Sequence, residues 1–215
     1  SCGSLFDGHQ ELDVTALDLH PAHRGAFQCD FLELEVGEEG SDLVALPPQQ
    51  GGAAGSGQGA GLLRRLPARS FDVAVFSCVL SYMPRPELRA AAVEKAVELL
   101  SRPGLLLIID TFTVDRQGCQ LSPGSMIREW REALQDVGLH LLQYEQLPNS
   151  HAMAWALPPD EVQAAPAGRG LRPLRVRVDA DMDAARKRRA SAAASGQRRR
   201  ERRVARRREM RAAAR

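Results

Sequence analysis

The stretch 71–84, FDVAVFSCVLSYMP, constrains the fold of this chain more than any other. Val73, Ala74, Val75 and Phe76 form a continuous apolar run, the pattern of a strand covered on both faces of a parallel sheet. The strand runs into Ser77. The residues after it, 78–82, lie where a chain leaves the carboxyl end of a strand, and open α/β sheets bind ligands in the crevice beyond those ends. Pro84 and Pro86 turn the chain into a helix predicted over 87–101, with Val93, Val97 and Leu100 on one face. Pro103 and Gly104 end that helix, and a second buried strand over 105–109 finishes in Asp110. Two strands joined by a helical crossover make a βαβ unit, which is almost always right-handed.

The other segments extend this unit. Short strands are expected over 14–19, ending near Asp18, and over 26–34, with Asp30 and Phe31 near its end. His20 and Pro21 break the first of them. Residues 37–69 read as a flexible surface insertion, because the centre PPQQGGAAGSGQGAG buries too little apolar surface to offset its ordering entropy. After a polar loop over 111–122, a second helix is predicted over 123–138. Its core stripe is Ile127, Trp130, Leu134 and Val137, and Gly138 is its terminator. Strands over 139–143 and 153–157, joined by a turn at Pro148, Asn149 and Ser150, make an antiparallel hairpin that closes the sheet. The expected organisation is one domain over 1–158, a Pro/Ala-rich linker over 159–183 and an Arg-rich, disordered tail over 184–215.

Charge is unevenly placed. The formal net charge is only +2, yet residues 184–215 hold 14 Lys or Arg and 2 Asp or Glu. An acidic body therefore carries a strongly basic tail, a composition that suits RNA phosphates or a nuclear address. Cys2, Cys29, Cys78 and Cys119 are scattered, with no CxxC pair, which fits neither a disulfide framework nor a zinc site; a reducing, intracellular compartment is expected. His20 and His23 lie near Cys29, but no fourth ligand is evident and no metal is expected. No apolar run approaches the ~20 residues of a membrane span. The sequence opens on Ser1 without a visible signal peptide, as expected of a fragment or a processed product.

Three places carry candidate chemistry. Asp18, at a strand's carboxyl end, can accept hydrogen bonds from both hydroxyls of a ribose, or simply cap a turn. Asp30 can accept from an adenine amino group while Phe31 packs on the base, although either can equally be structural. Ser77 and Cys78 form a small-residue exit beside which a ligand can lie. Each candidate sits at the end of a predicted parallel strand, so one nucleoside could touch all three.

The blocks FQCDFLELEV at 27–36, FDVAVFSCVLSYMPRPELR at 71–89 and ELLSRPGLLLIID at 98–110 resemble the Samtor family, the S-adenosylmethionine sensors upstream of mTOR complex 1. These sensors are relatives of the fungal ribosomal-RNA adenine-N1 methyltransferases. SMIREWREALQDVGL at 125–139 and HAMAWAL at 151–157 continue the resemblance, and Ser1-Cys2 is similar to the end of the family's first glycine motif. The resemblance implies an α/β, Rossmann-like class I methyltransferase fold binding S-adenosyl-L-methionine, with a mostly parallel sheet and a C-terminal antiparallel hairpin. It puts the family's first strand and Gly-rich turn ahead of Ser1. Asp18 would then hold the ribose, Asp30 and Phe31 would border the adenine, and Ser77, Cys78 and Val79 would line the crevice near the methionine part. The implied partners are the GATOR and KICSTOR complexes, and the implied setting is cytoplasmic and lysosome-associated, with nucleus or nucleolus as the alternative raised by the tail.

The same blocks leave two roles open. Amino-group methyltransferases often follow this strand with Asn or Asp, Pro and an aromatic residue, and the fungal relatives carry Asn-Phe where this chain has Ser81-Tyr82. Tyr82 can stack on a base, while Ser81 orients an amine more weakly than Asn. Methylation at adenine N1 depends on positioning more than on a strong base, so Ser81 and Tyr82 remain the catalytic candidates of an enzyme. The sensor role is the expectation, with ribosomal-RNA adenine-N1 methylation as the alternative.

Overall fold

The computed structural model describes residues 6, 9–22, 25–47, 60–111, 126–148, 150–159 and 170–176. Within them two sheets form, one of five strands and one of four. The first sheet holds β1 (Ala16–Asp18), β2 (Ala26–Gln28), β3 (Glu35–Gly37), β4 (Val44–Leu46) and β5 (Leu62–Pro67). Strands β1, β2, β5 and β3 lie side by side and parallel, and β4 alone runs antiparallel, on β5. The second sheet has the order β6 (Phe71–Ser77), β7 (Leu100–Thr111), β9 (Ser150–Leu157), β8 (His140–Gln146). Here β6 and β7 are parallel, and β9 is antiparallel to both β7 and β8. The chain is therefore α/β with mixed sheets, the first of them mostly parallel.

The βαβ unit forms, but its helix ends at Leu99, and Leu100, Pro103 and Gly104, read as the helix's last stripe residue and its terminators, belong to the strand β7 that follows. Helix α1 (Pro86–Leu99) starts with Pro in its first turn, where no amide donor is needed, and with Glu87 against the positive end of the helix dipole. Its buried face is Arg89, Ala92, Val93, Ala96 and Leu99, close to the predicted stripe but continued one turn earlier by an arginine. Helix α2 (Met126–Asp136) buries Ile127, Trp130 and Leu134 and half-buries Val137. Gly138 follows with φ of 87°, and the Leu139 amide closes back on the Leu134 carbonyl at 3.1 Å. That conformation favours glycine, which explains its place there. Residues 123–125, the start of the predicted helix, lie outside the described residues.

Three expectations change. Strand β6 is not covered on both faces: Val73 is 45% exposed and Asp72 is exposed, while Phe76 is buried. It is an outer strand of its sheet, so it lacks the second neighbour that shields a central strand. The predicted insertion over 37–69 is ordered at both ends, with β4 inside it and β5 as the strand to which β2, β3 and β4 all pair. Its Gly-rich centre, 48–59, lies outside the described residues. Of the predicted strand over 26–34 only β2 is strand; a turn fills the rest, and β3 begins beyond it at Glu35.

Two apolar clusters hold the structure. The larger joins α1, α2 and the second sheet through residues such as Val93, Leu106, Ile108, Trp130, Leu134 and Trp155. The smaller, under the first sheet, contains Cys29, Leu34, Leu63, Leu66 and Leu99. Phe31 packs against both. Leu171, Leu174 and Val176 also enter the larger cluster, so residues 170–176, within the stretch expected as a linker, pack as part of the folded body.

Candidate functional site

The carboxyl ends of the parallel strands gather the predicted residues. Asp18 ends β1 half-buried, and its Oδ1 accepts the His20 amide at 2.8 Å, closing the turn that stops the strand. Its backbone carbonyl accepts the Cys29 amide at 2.9 Å, which sets the start of the Cys29-Asp30-Phe31 turn directly beside it. Asp30 is exposed and caps that turn, with Oδ1 accepting the Leu32 amide at 3.1 Å. Lys95 of α1 fixes the same turn by donating to the Leu32 carbonyl at 2.5 Å and the Leu34 carbonyl at 2.6 Å. Phe31 meets Phe76 edge to face, with centroids 5.9 Å apart and planes at 79°, a favourable aromatic geometry. The CDF turn is thereby packed against the end of β6, one residue before Ser77.

The exit from β6 is anchored at several points. Cys78 adopts φ of 51°, unusual for a residue with a side chain, and its amide donates to the Ile109 carbonyl on β7 at 2.7 Å. Val79 and Cys78 are exposed. A short 3-10 helix, Leu80–Tyr82, follows; Leu80 is buried and Tyr82 is 78% exposed. Asp110, fully buried at the end of β7, accepts the Ser81 amide at Oδ2 at 2.9 Å and the Thr111 amide at Oδ1 at 2.7 Å. The buried Arg89 donates from Nε to the Leu80 carbonyl at 2.9 Å and from a terminal nitrogen to the Met83 carbonyl at 2.5 Å. The loop 78–83 is thus held from below and from α1, leaving Val79 and Tyr82 as its exposed large side chains.

Asp110 also belongs to a buried row that turns polar at this end. Leu106, Ile108 and Asp110 of β7 stand opposite Trp155, Met153 and His151 of β9. His151 is fully buried inside β9, with Nδ1 2.6 Å from the Tyr144 hydroxyl. Of these, Arg89 and Asp110 were assigned no role from the sequence. Arg89 had a signal: it sits four residues before Val93, on the predicted apolar stripe. No group of three His, Cys, Asp or Glu could hold a metal among the described residues, and His23 lies outside them.

The two described cysteines differ chemically. Burial raises the Cys29 thiol to about 11, the Asp30 carboxylate adds to the rise, and Lys95 opposes it. At pH 8 only about one Cys29 in a thousand is then thiolate, the reactive form. Iodoacetamide at pH 8 should therefore label Cys78 in the native protein and spare Cys29, with both labelled after unfolding in guanidinium. Equal native labelling of the two, read by peptide mass, would contradict this geometry.

The arrangement defines an α/β protein in which Asp18, the CDF turn and the exit from β6 lie at the carboxyl ends of parallel strands. Over 72% of its length the chain is homologous to proteins named "S-adenosylmethionine sensor upstream of mTORC1". Identity is 34% over 158 residues with the zebrafish protein, 33% over 155 residues with that of Xenopus laevis and 32% over 158 residues with that of Xenopus tropicalis. The chain spans only 36–37% of the length of these relatives. No family model matches. The named relatives support the sensor side of the resemblance in the sequence, and the fungal methyltransferase side draws no support from them. No helix among the described residues is long and apolar enough to cross a membrane.

Proposed function

We propose that this chain binds S-adenosylmethionine in the crevice beyond β1, β2 and β6 and serves as a nutrient sensor that regulates mTOR complex 1. The observation that carries the reading is the homology to proteins named for that role. The geometry supports it: Asp18 lies beside the CDF turn, and that turn packs on the exit of β6 through Phe31 and Phe76. In this reading Asp18 receives the ribose hydroxyls, Asp30 and Phe31 border the adenine, and Ser77, Cys78 and Val79 line the methionine end. The fold is then a class I methyltransferase fold, which sets one further strand between the two parts of its sheet. Strands β1 and β6 are each outer strands and are the edges such a strand would join. Its glycine turn would face the methionine carboxylate. Association with the GATOR and KICSTOR complexes, in a cytoplasmic, lysosome-associated setting, completes the reading.

A second reading, methylation of ribosomal-RNA adenine N1, has one observation in its favour. Tyr82 presents its ring to solvent directly after the ligand strand, where it can stack on a base. The Arg-rich run over 184–215 would supply phosphate contacts.

Calorimetric titration of S-adenosylmethionine and S-adenosylhomocysteine into the protein and its Asp18→Ala variant tests the ligand. A carboxylate accepting two hydroxyls contributes two charge-assisted hydrogen bonds, so the variant should bind about a hundredfold more weakly. Absence of saturable binding, or equal affinity of the variant, would sink the assignment. Methyl transfer to ribosomal RNA by the same sample would favour the second reading over the first.

A further inference from the structure

Residues 170–176 form a strap across both helices. Leu171, Leu174 and Val176 are buried, while Arg172, Pro173 and Arg175 between them are exposed. The strap is pinned along its length. The Leu171 amide donates to Glu94 of α1. The Leu174 amide donates to the Pro86 carbonyl at 3.1 Å, the Trp130 indole donates to the Arg175 carbonyl at 2.6 Å, and Arg172 pairs with Asp136 at 2.9 Å. The Leu174 carbonyl accepts from Arg89 at 3.0 Å. This is the same guanidinium that holds the Leu80 and Met83 carbonyls of the loop after β6.

One buried cation therefore binds the strap and the loop together. A guanidinium presents its donors in a rigid planar fork, so its carbonyl partners cannot move independently. A buried charge that loses one of its oxygens is costly, which makes the docked strap and the ordered loop conditions of one another. A coupling of this kind is reciprocal.

We propose that Arg89 is a positioning residue for the ligand crevice and that it acts through the strap: docking of residues 170–176 fixes Arg89, and Arg89 fixes the loop 78–83 in its binding geometry. The inference rests on the assignment of that crevice to S-adenosylmethionine. By reciprocity, bound ligand holds the strap down.

Trypsin reads the strap. Arg175 is exposed but Val176 is buried, so the bond between them is cut from the lifted strap, while Pro173 blocks cleavage after Arg172. Cleavage after Arg175 is followed by peptide mass in the full chain, and affinity by calorimetry. Saturating S-adenosylmethionine should slow that cleavage about tenfold when opening and closing are fast. Arg89→Lys should weaken binding by about tenfold and abolish the protection, because one ammonium cannot span three separate carbonyls. Glu94→Ala covers the case in which Arg89→Lys does not fold. It removes the strap's first anchor without touching the loop, and should raise the cleavage rate by about threefold while saturating ligand still slows it. Ligand binding that leaves cleavage after Arg175 unchanged overturns the inference alone, as does faster cleavage in Glu94→Ala that saturating ligand does not slow. Failure of the unaltered chain to bind ligand overturns the inference together with the ligand assignment.

Discussion

Trp130→Ala should cost this domain about 3–5 kcal/mol, the range for truncating a fully buried tryptophan. Trp130 is wholly buried where α2 meets the second sheet, and its cluster includes Leu134, Leu139 and the strap residues Leu171, Leu174 and Val176. Deleting the indole opens a cavity and removes the hydrogen bond to the Arg175 carbonyl, so both packing and strap are weakened. Domains of this size are stable by about 5–15 kcal/mol, so the loss takes a large share of the total. Trp130→Phe keeps most of the volume and loses the indole donor, and should cost clearly less. Urea unfolding with a shared m-value measures both. A loss under about 1 kcal/mol for Trp130→Ala would mean that α2 and the strap are not packed as described.

The elements carried by periodicity were legible in the sequence. The stripe of α2, the strand ending in Asp18 and the βαβ unit around 71–110 follow from spacing and from Pro and Gly punctuation. What escaped has identifiable causes. Strand β5 reads LLRRLP, with two adjacent arginines next to a Gly-rich run. Leu63 and Leu66 are buried three residues apart, which matches neither strand alternation nor an extended helical stripe. Arg65 is tolerated because its end reaches Glu35 on β3 at 2.8 Å, with the aliphatic stem lying along the sheet. The strap escaped for another reason. Its backbone partners are a side-chain carboxylate, a guanidinium, an indole and the Pro86 carbonyl instead of a ladder or helix, so no period announces it. Composition marked it as linker, yet three well-placed apolar residues suffice to dock it.

The candidate site divides the same way. Asp18 and Ser77 at strand ends, and Asp30 just past one, could be singled out because strand ends can be read from sequence, and strand ends are where open sheets place ligands. The groups that hold the loops in place were not found, because their roles depend on contacts between distant segments. Arg89 joins residues 80, 83 and 174, and Lys95 joins α1 to 32 and 34. Both cations stand on α1, whose sequence alone says only that it is a helix between two strands. The strand exits are therefore placed by the sheets, and the turns beyond them are held by cations of one helix together with groups of β7.

Asp110 is the test of that view from the side of the sheet. Its carboxylate is fully buried, and its two oxygens accept one amide each, from Ser81 and Thr111. Asp110→Ala removes both acceptors and leaves two partly buried amides without them, each worth about 1–3 kcal/mol, in addition to a small cavity. A total loss of about 3–5 kcal/mol is expected. Asp110→Asn keeps one accepting oxygen but turns an amide donor toward the other N–H, so it should lose roughly half as much. Hydrogen exchange separates an anchor from a generic core residue. In both variants the Ser81 amide should lose protection ahead of amides in the middle of β7, such as Leu107, because the loop opens locally before the sheet unfolds. Uniform loss of protection across β7 would make Asp110 a core residue with no special hold on the loop. Selective loss at Ser81 would show that the exit of β6 keeps its shape through a carboxylate on the neighbouring strand.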